Sequence, residues 1–238
     1  MALQLKQFGQ GEPLVFFHGW GFDSSIWFSL LPHLEAQYRV ILVDLPGFGS
    51  TPFINWELFQ EKLLAQLPQI FSVVGWSLGG LYATHLALNM PNRVKRLLNV
   101  ASSPCFLRKP YWPGLSAKEF TLFNERLQSS PQKTAQEFIA FHTRGLLEYK
   151  QSLNFSYFGL MEGMRVLEQW DLREPLLSYP HQVGYLFGGC DALISTQTMH
   201  RMRKCYSHFD YFFLKRATHT PFLSHPILFI EALEDFMQ

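Results

Sequence analysis

Cysteine is scarce in this chain of 238 residues: there are three, at positions 105, 190 and 205. Odd in number and far apart, they offer neither a disulfide framework nor metal-ligand spacing, which points to a reducing compartment and no bound metal. A dominant charge is also missing. Twenty Lys/Arg stand against nineteen Asp/Glu, a net charge of +1 with histidine neutral, whereas a nucleic-acid partner demands a basic excess. No apolar run reaches the length of a membrane span. The N-terminal "MALQLKQFGQG" has no continuous apolar stretch and no cleavage site of a secretory leader. Internal repeats and low-complexity linkers are absent too. The expectation is a cytoplasmic monomer with no membrane or nucleic-acid partner.

What the chain does have is apolar material. Hydrophobic residues make up 47% and aromatics 16%, including 23 Phe. That is ample for one large core and implies either a thick aromatic interior or an apolar cavity. Three apolar runs end in glycine-rich turns: "PLVFFHGWG" (13–21), "RVILVDLPGFG" (39–49) and "IFSVVGWSLGG" (70–80). Each is of strand length, and continuous rather than alternating hydrophobicity suits strands buried on both faces of a parallel sheet. "VKRLLNVAS" (94–102), "QVGYLFGG" (182–189) and "FDYFFLK" (209–215) extend the series to six. Helical patterns intervene, the clearest being "GLYATHLALNM", stopped by Pro91 and Asn92, and "HPILFIEALEDFM" closes the chain. Alternating strands and helices predict an α/β fold with a mostly parallel open sheet.

One stretch breaks the rhythm. From Phe106 to Leu172 no buried strand is evident, only patterns such as "SAKEFTLFNERLQ" and "TAQEFIAFHTRGLLEYKQSL". About 65 residues is too long for one crossover. The chain therefore divides into a core formed by 1–105 and 173–238 and an inserted helical cap over 106–172. The alternative is a continuation of the helices that flank the sheet.

In open parallel sheets functional groups gather beyond the C-terminal strand ends. After the first predicted strand comes His18-Gly19-Trp20-Gly21, and after the third Gly75-Trp76-Ser77-Leu78-Gly79. After the fifth comes Gly188-Gly189-Cys190-Asp191, and after the sixth Ala217-Thr218-His219. Gly-x-Ser-x-Gly alone is weak, with about 0.08 chance matches expected in a chain of this length. A serine, an acid and a histidine at three strand ends, in that order, carry more weight.

On the motifs "HGWG", "DLPGFG", "GWSLGG", "GGCD" and "THTPFLSHP", the whole chain resembles the α/β-hydrolase family, whose triads run serine, acid, histidine. The resemblance implies Ser77 as nucleophile, His219 as base and Asp191 as the acid that holds the imidazole tautomer. It implies an oxyanion hole from the backbone N–H of Leu78 and of Trp20; the side chains of Trp20 and Trp76 are candidates for lining the acyl pocket, or else for packing beneath the loops. His18 is read as a loop-structuring residue and Asp44 as a turn stabiliser. His33, His85, His181, His200 and His225 are placed too poorly to act as base, and Asp171 and Asp210 too poorly to act as acid. Thr218 departs from the glycine that commonly precedes the catalytic histidine.

Within that fold, "HGWG" with "GWSLGG", the short chain and "EFIAFHTRG" resemble the pimeloyl-[acyl-carrier protein] methyl ester esterase family of biotin biosynthesis. The resemblance implies hydrolysis of a methyl ester on a carrier-bound pimeloyl chain, with no cofactor. It implies substrate contacts from Trp20, Trp76, Leu78 and the run Phe138, Ile139, Ala140, Phe141 and His142, the last where a glutamine is expected. An acyl-carrier protein is the implied partner. Up to Trp170 the cap holds eight Lys/Arg and six Asp/Glu, a slight excess suited to steering an acidic carrier. Lys133, Arg144 and Lys150 are the docking candidates, although a solvated helix face is the default reading of such charges. Glu137 and Asn154 stand where basic residues are expected. The rival readings are a short-chain carboxylesterase, a carbon–carbon bond hydrolase of the same fold, and a noncatalytic ligand- or carrier-binding module.

Overall fold

The computed structural model describes residues 3–143 and 154–238. Seven strands form one sheet: β1 (Lys6–Phe8), β2 (Glu12–Phe17), β3 (Tyr38–Val43), β4 (Phe71–Trp76), β5 (Val94–Val100), β6 (Gln182–Gly188) and β7 (Asp210–Leu214). Their spatial order is β1-β3-β2-β4-β5-β6-β7. All neighbours from β3 to β7 pair in parallel, with Phe16 opposite Leu42 and Val74. β1 is the addition to the six strands expected. It runs antiparallel to β3 along the sheet edge, and three half-exposed residues are too few to leave an apolar run in the sequence.

The continuous hydrophobicity of the central strands has a direct cause. In β2, Val15 and Phe17 enter the core on one face of the sheet, and Leu14 and Phe16 the core on the other. β4 does the same, with Phe71 and Val73 on the first face and Val74 and Trp76 on the second. Burial of each such side chain is worth about 1.5–3 kcal/mol.

The longer helices are α1 (Trp56–Leu64), α2 (Leu78–Asn89), α3 (Ala117–Ser129), α4 (Pro131–Thr143), α5 (Tyr157–Gln169), α6 (Thr196–Cys205) and α7 (Pro226–Met237). α2 is buried nearly all round, as expected of a helix wedged between the sheet and a further layer. Between β5 and β6 the described residues hold α3, α4 and α5 and no strand of the sheet. α3 opens with a full capping box between Ser116 and Glu119. α4 follows after the single residue Ser130, with Arg126 of α3 bridged to Glu137 of α4. Among the described residues no helix is long and apolar enough to cross a membrane.

Candidate active site

Ser77 occupies the turn between β4 and α2 with φ 55° and ψ −119°. For a residue with a Cβ this is a strained conformation, costing on the order of 1–3 kcal/mol. The surroundings enforce it. Ser77 N donates to Val100 O at 2.9 Å, and Ser77 O accepts from Gly80 N at 2.9 Å and Ser102 Oγ at 2.8 Å. The flanking glycines are needed for close approach. A Cβ at Gly75 would lie 2.4 Å from Gly79 O, and one at Gly79 2.5 Å from His18 O. Strand, helix and the β2 loop thus meet backbone to backbone beneath the serine.

The three strand-end residues converge. His219 Nε2 lies 2.9 Å from Ser77 Oγ, and His219 Nδ1 lies 2.9 Å from Asp191 Oδ2. The side chains of His219 and Asp191 are almost wholly buried. A carboxylate only accepts, so the imidazole proton sits on Nδ1, and Nε2 is free to accept from the serine hydroxyl. The other carboxylate oxygen of Asp191 accepts from Leu193 N at 2.8 Å and Ile194 N at 3.0 Å. The acid is therefore fixed by backbone. This is a hydrogen-bonded relay suited to activating a serine hydroxyl.

The β2 loop brings Trp20 beside the serine. Among the described residues, neither Trp20 N nor Leu78 N donates to another protein group, so both remain available to an oxyanion. His18 keeps this loop in place by accepting from Leu45 N at Nε2 (3.0 Å) and contacting Gly19 O at Nδ1 (2.8 Å). Burial pushes its pKa down and keeps it neutral. Asp44 sits beneath, accepting from Ser24 N and from Ser50 N and Oγ. Burial alone would raise its pKa, but the hydrogen bonds it accepts from Ser24 and Ser50 hold it below the usual carboxylate range.

Above the serine lies a cavity of about 430 Å³, lined by Ser77, Trp20 and mostly apolar residues of α3, α4 and α5. Of the residues expected from sequence to contact substrate, Trp20, Phe138, Phe141 and His142 line it. The Trp20 ring stands edge-on to Phe123 and Phe138, and its Nε1 donates to Leu160 O at 2.9 Å. The His142 ring lies 4.9 Å from that of His219, and the His142 carbonyl accepts from Thr220 Oγ1 at 3.2 Å.

The other expected contacts fall elsewhere. Trp76 does not line the cavity. It shares strand parity with Val74, so its side chain goes to the opposite face, against Phe22, Trp27 and Phe222. There it donates from Nε1 to His219 O at 2.7 Å. Its ring also supports Gly19, where a Cβ would lie only 2.9 Å from it. The Leu78 side chain packs near Gly163 of α5 and is fully buried, leaving its backbone N–H as its only route to a ligand. Ile139 turns down toward Gly21 and Ala140 is exposed. Lys133 is exposed on α4, while Arg144 and Lys150 lie outside the described residues.

Sequence reasoning missed much of the cavity wall: Phe106, Phe120, Phe123, Met164, Leu167 and Leu193. The spacing of Phe120, Phe123 and Leu127 on one face of α3 is the signal that could have found part of it. Ser102, which fixes the Ser77 carbonyl, left no signal. Among the described residues no cluster of three or more His, Cys, Asp or Glu could hold a metal.

Comparison with known proteins agrees with this architecture. Residues 14–232 match the model of the alpha/beta hydrolase family. The chain is 45% identical, over all of both chains, to the pimeloyl-[acyl-carrier protein] methyl ester esterase of Legionella pneumophila (strain Corby). It is 35% identical, again over all of both chains, to the protein of that name from Aeromonas hydrophila. Among solved structures, an esterase from Exiguobacterium antarcticum superposes with a TM-score of 0.89 at 20% identity, covering 98% of this chain and 94% of that one. The matched family model, the full-length relatives and the shared architecture place this chain in the α/β hydrolase family.

Proposed function

We propose that this protein is a serine esterase that hydrolyses the methyl ester of a pimeloyl chain carried on an acyl-carrier protein. The observation that carries the reading is the Ser77–His219–Asp191 chain of hydrogen bonds opening into a cavity walled by aromatic side chains. A linear run of methylenes gains free energy only where water is excluded along its length, and the walls formed by Trp20, Phe120, Phe123 and Phe138 provide that. The full-length relatives named above bear this activity in their names.

In this reading Ser77 Oγ attacks the ester carbonyl while its proton passes to His219 Nε2. Asp191, held by two backbone N–H groups, stabilises the imidazolium. The Trp20 and Leu78 N–H groups take the oxyanion, each worth about 2.7–4 kcal/mol of transition-state stabilisation. Methanol leaves with the proton from His219. Water then attacks the acyl-enzyme, giving its proton to the same nitrogen, and the free acid departs as Ser77 is reprotonated. Residues 106–172 act as a cap on the 1–105 and 173–238 core, and Lys133 offers a docking charge to the acidic carrier.

The test is to incubate the purified protein with the methyl pimeloyl thioester of an acyl-carrier protein and follow demethylation by mass spectrometry. Loss of the ester methyl with the thioester intact is the expected result. Cleavage of p-nitrophenyl butyrate without attack on the carrier-linked ester would leave a short-chain carboxylesterase instead.

A further inference from the structure

A second recess, of about 750 Å³, adjoins the catalytic cavity and shares Leu115, Glu119 and Leu193 with it. One wall is the tight turn around Lys109–Trp112, closed by reciprocal backbone hydrogen bonds of 3.1 and 2.9 Å between those two residues. The other follows the chain from just beyond Asp191 through the first turn of α6 to Arg201. Three cations line it, Arg108, Lys109 and Arg201, against the single carboxylate of Glu119. That carboxylate is already engaged, accepting from Ser116 N at 2.8 Å and Ser116 Oγ at 2.6 Å in the α3 capping box.

The cations are not spent in the same way. Among the described residues, none of the three belongs to a salt bridge. Arg201 Nε is buried with no hydrogen-bond partner among them. With no carboxylate paired to it, the Arg201 guanidinium keeps its charge available to an anion in the recess. Ser195, at the N-cap of α6, makes no side-chain cap hydrogen bond, so the positive end of that helix also faces the recess unneutralised.

We infer that this recess binds a phosphate group on the substrate, namely the phosphodiester of the pantetheine arm that tethers an acyl chain to its carrier. The inference rests on the proposed substrate and adds where its far end goes. With the ester at Ser77 and the methylenes among the aromatic rings, the arm leaves through the lining shared by the two cavities. Its phosphate then meets Arg108, Lys109 and Arg201. The recess shares wall residues with the catalytic cavity, which places it within reach of a flexible arm leaving that cavity.

The experiment compares methyl pimeloyl thioesters of phosphopantetheine, of pantetheine lacking the phosphate, and of the intact carrier. The wild type should favour the phosphorylated small substrate over its dephosphorylated form by about tenfold or more in kcat/KM. That preference should shrink as salt is raised. In the triple variant Arg108→Gln, Lys109→Gln, Arg201→Gln the ratio should fall close to one, with an unchanged circular-dichroism melting curve showing that the fold is intact. Should the triple variant be unstable, Arg201→Lys gives the same reading through partial loss of the ratio. Equal rates on the two small substrates in the wild type would overturn the assignment. So would a variant impaired on the carrier substrate but with its phosphate preference intact, because the recess would then be reading the carrier's surface. If the wild type cleaves p-nitrophenyl butyrate but none of the three thioester-linked esters, the proposed substrate fails, and the recess loses its ligand with it.

Discussion

The floor of the active site hangs from strand ends and is tied by backbone. Ser77, Asp191 and His219 are each fixed by hydrogen bonds to main-chain groups or to one another. The roof, made by α3, α4 and α5, walls the cavity with side chains, among them the rings of Phe120, Phe123, Phe138 and Phe141. Its polar ties to the core include Trp20 Nε1 to Leu160 O, Thr220 Oγ1 to His142 O and, at the start of α5, Ser156 N to Gly47 O and Gly49 N to Asn154 O. Phe141, which lines the cavity, is 59% exposed, whereas Ser77 and His219 are buried. Chemistry needs atoms held to within a fraction of an ångström, and backbone supplies that. Accommodating a flexible chain needs only apolar area, and side chains that can repack supply it.

The sharpest way to separate the two is to remove chemistry without touching shape. Ser77→Ala should lower kcat on the order of 10⁴- to 10⁶-fold with every ester tried. Binding of a nonhydrolysable long-chain ether analogue, read by calorimetry, should persist. If Ser77→Ala retains wild-type turnover, the nucleophile lies elsewhere and the comparison collapses.

A roof variant should show the opposite pattern. Phe138→Ala removes a ring that stands against both Trp20 and Phe123. It should reduce kcat/KM for a seven-carbon methyl ester roughly tenfold, mostly through KM. Hydrolysis of p-nitrophenyl acetate, which is too short to reach that ring, should change little. An equal loss on both substrates would show that Phe138 supports the relay and not the chain.

The same division explains what could be read from sequence. The elbow, the acid and the histidine were legible because each follows an apolar run at a strand's C-terminal end, where few residue types can stand. Gly75 and Gly79 were legible for a steric reason, since a Cβ there would strike backbone. The roof was legible only as helices. Its cavity-facing residues come from three helices whose relative rotation depends on tertiary packing, so Phe120, Met164 and Leu167 carry no local mark of their shared wall. Strand β1 was lost because three edge residues make no hydrophobic pattern. Trp76 packs beneath the loops and not in the acyl pocket, although it adjoins Ser77 in sequence. Strand alternation sends its side chain to the other face.

That position makes Trp76 the finest probe of the floor. Trp76 Nε1 holds the carbonyl of His219 at 2.7 Å, and its ring lies against Phe22, Phe222 and the His219 imidazole. Trp76→Phe keeps most of the packing and deletes the one donor. A buried carbonyl left without its partner costs about 1–3 kcal/mol, part of which His219 can relieve by shifting out of line with Ser77. Turnover should therefore fall about three- to tenfold by the same factor on short and long esters, with KM unchanged. A change confined to long-chain KM would instead return Trp76 to the acyl pocket. Equal loss on all substrates shows that a tryptophan beside the nucleophile acts by positioning the base.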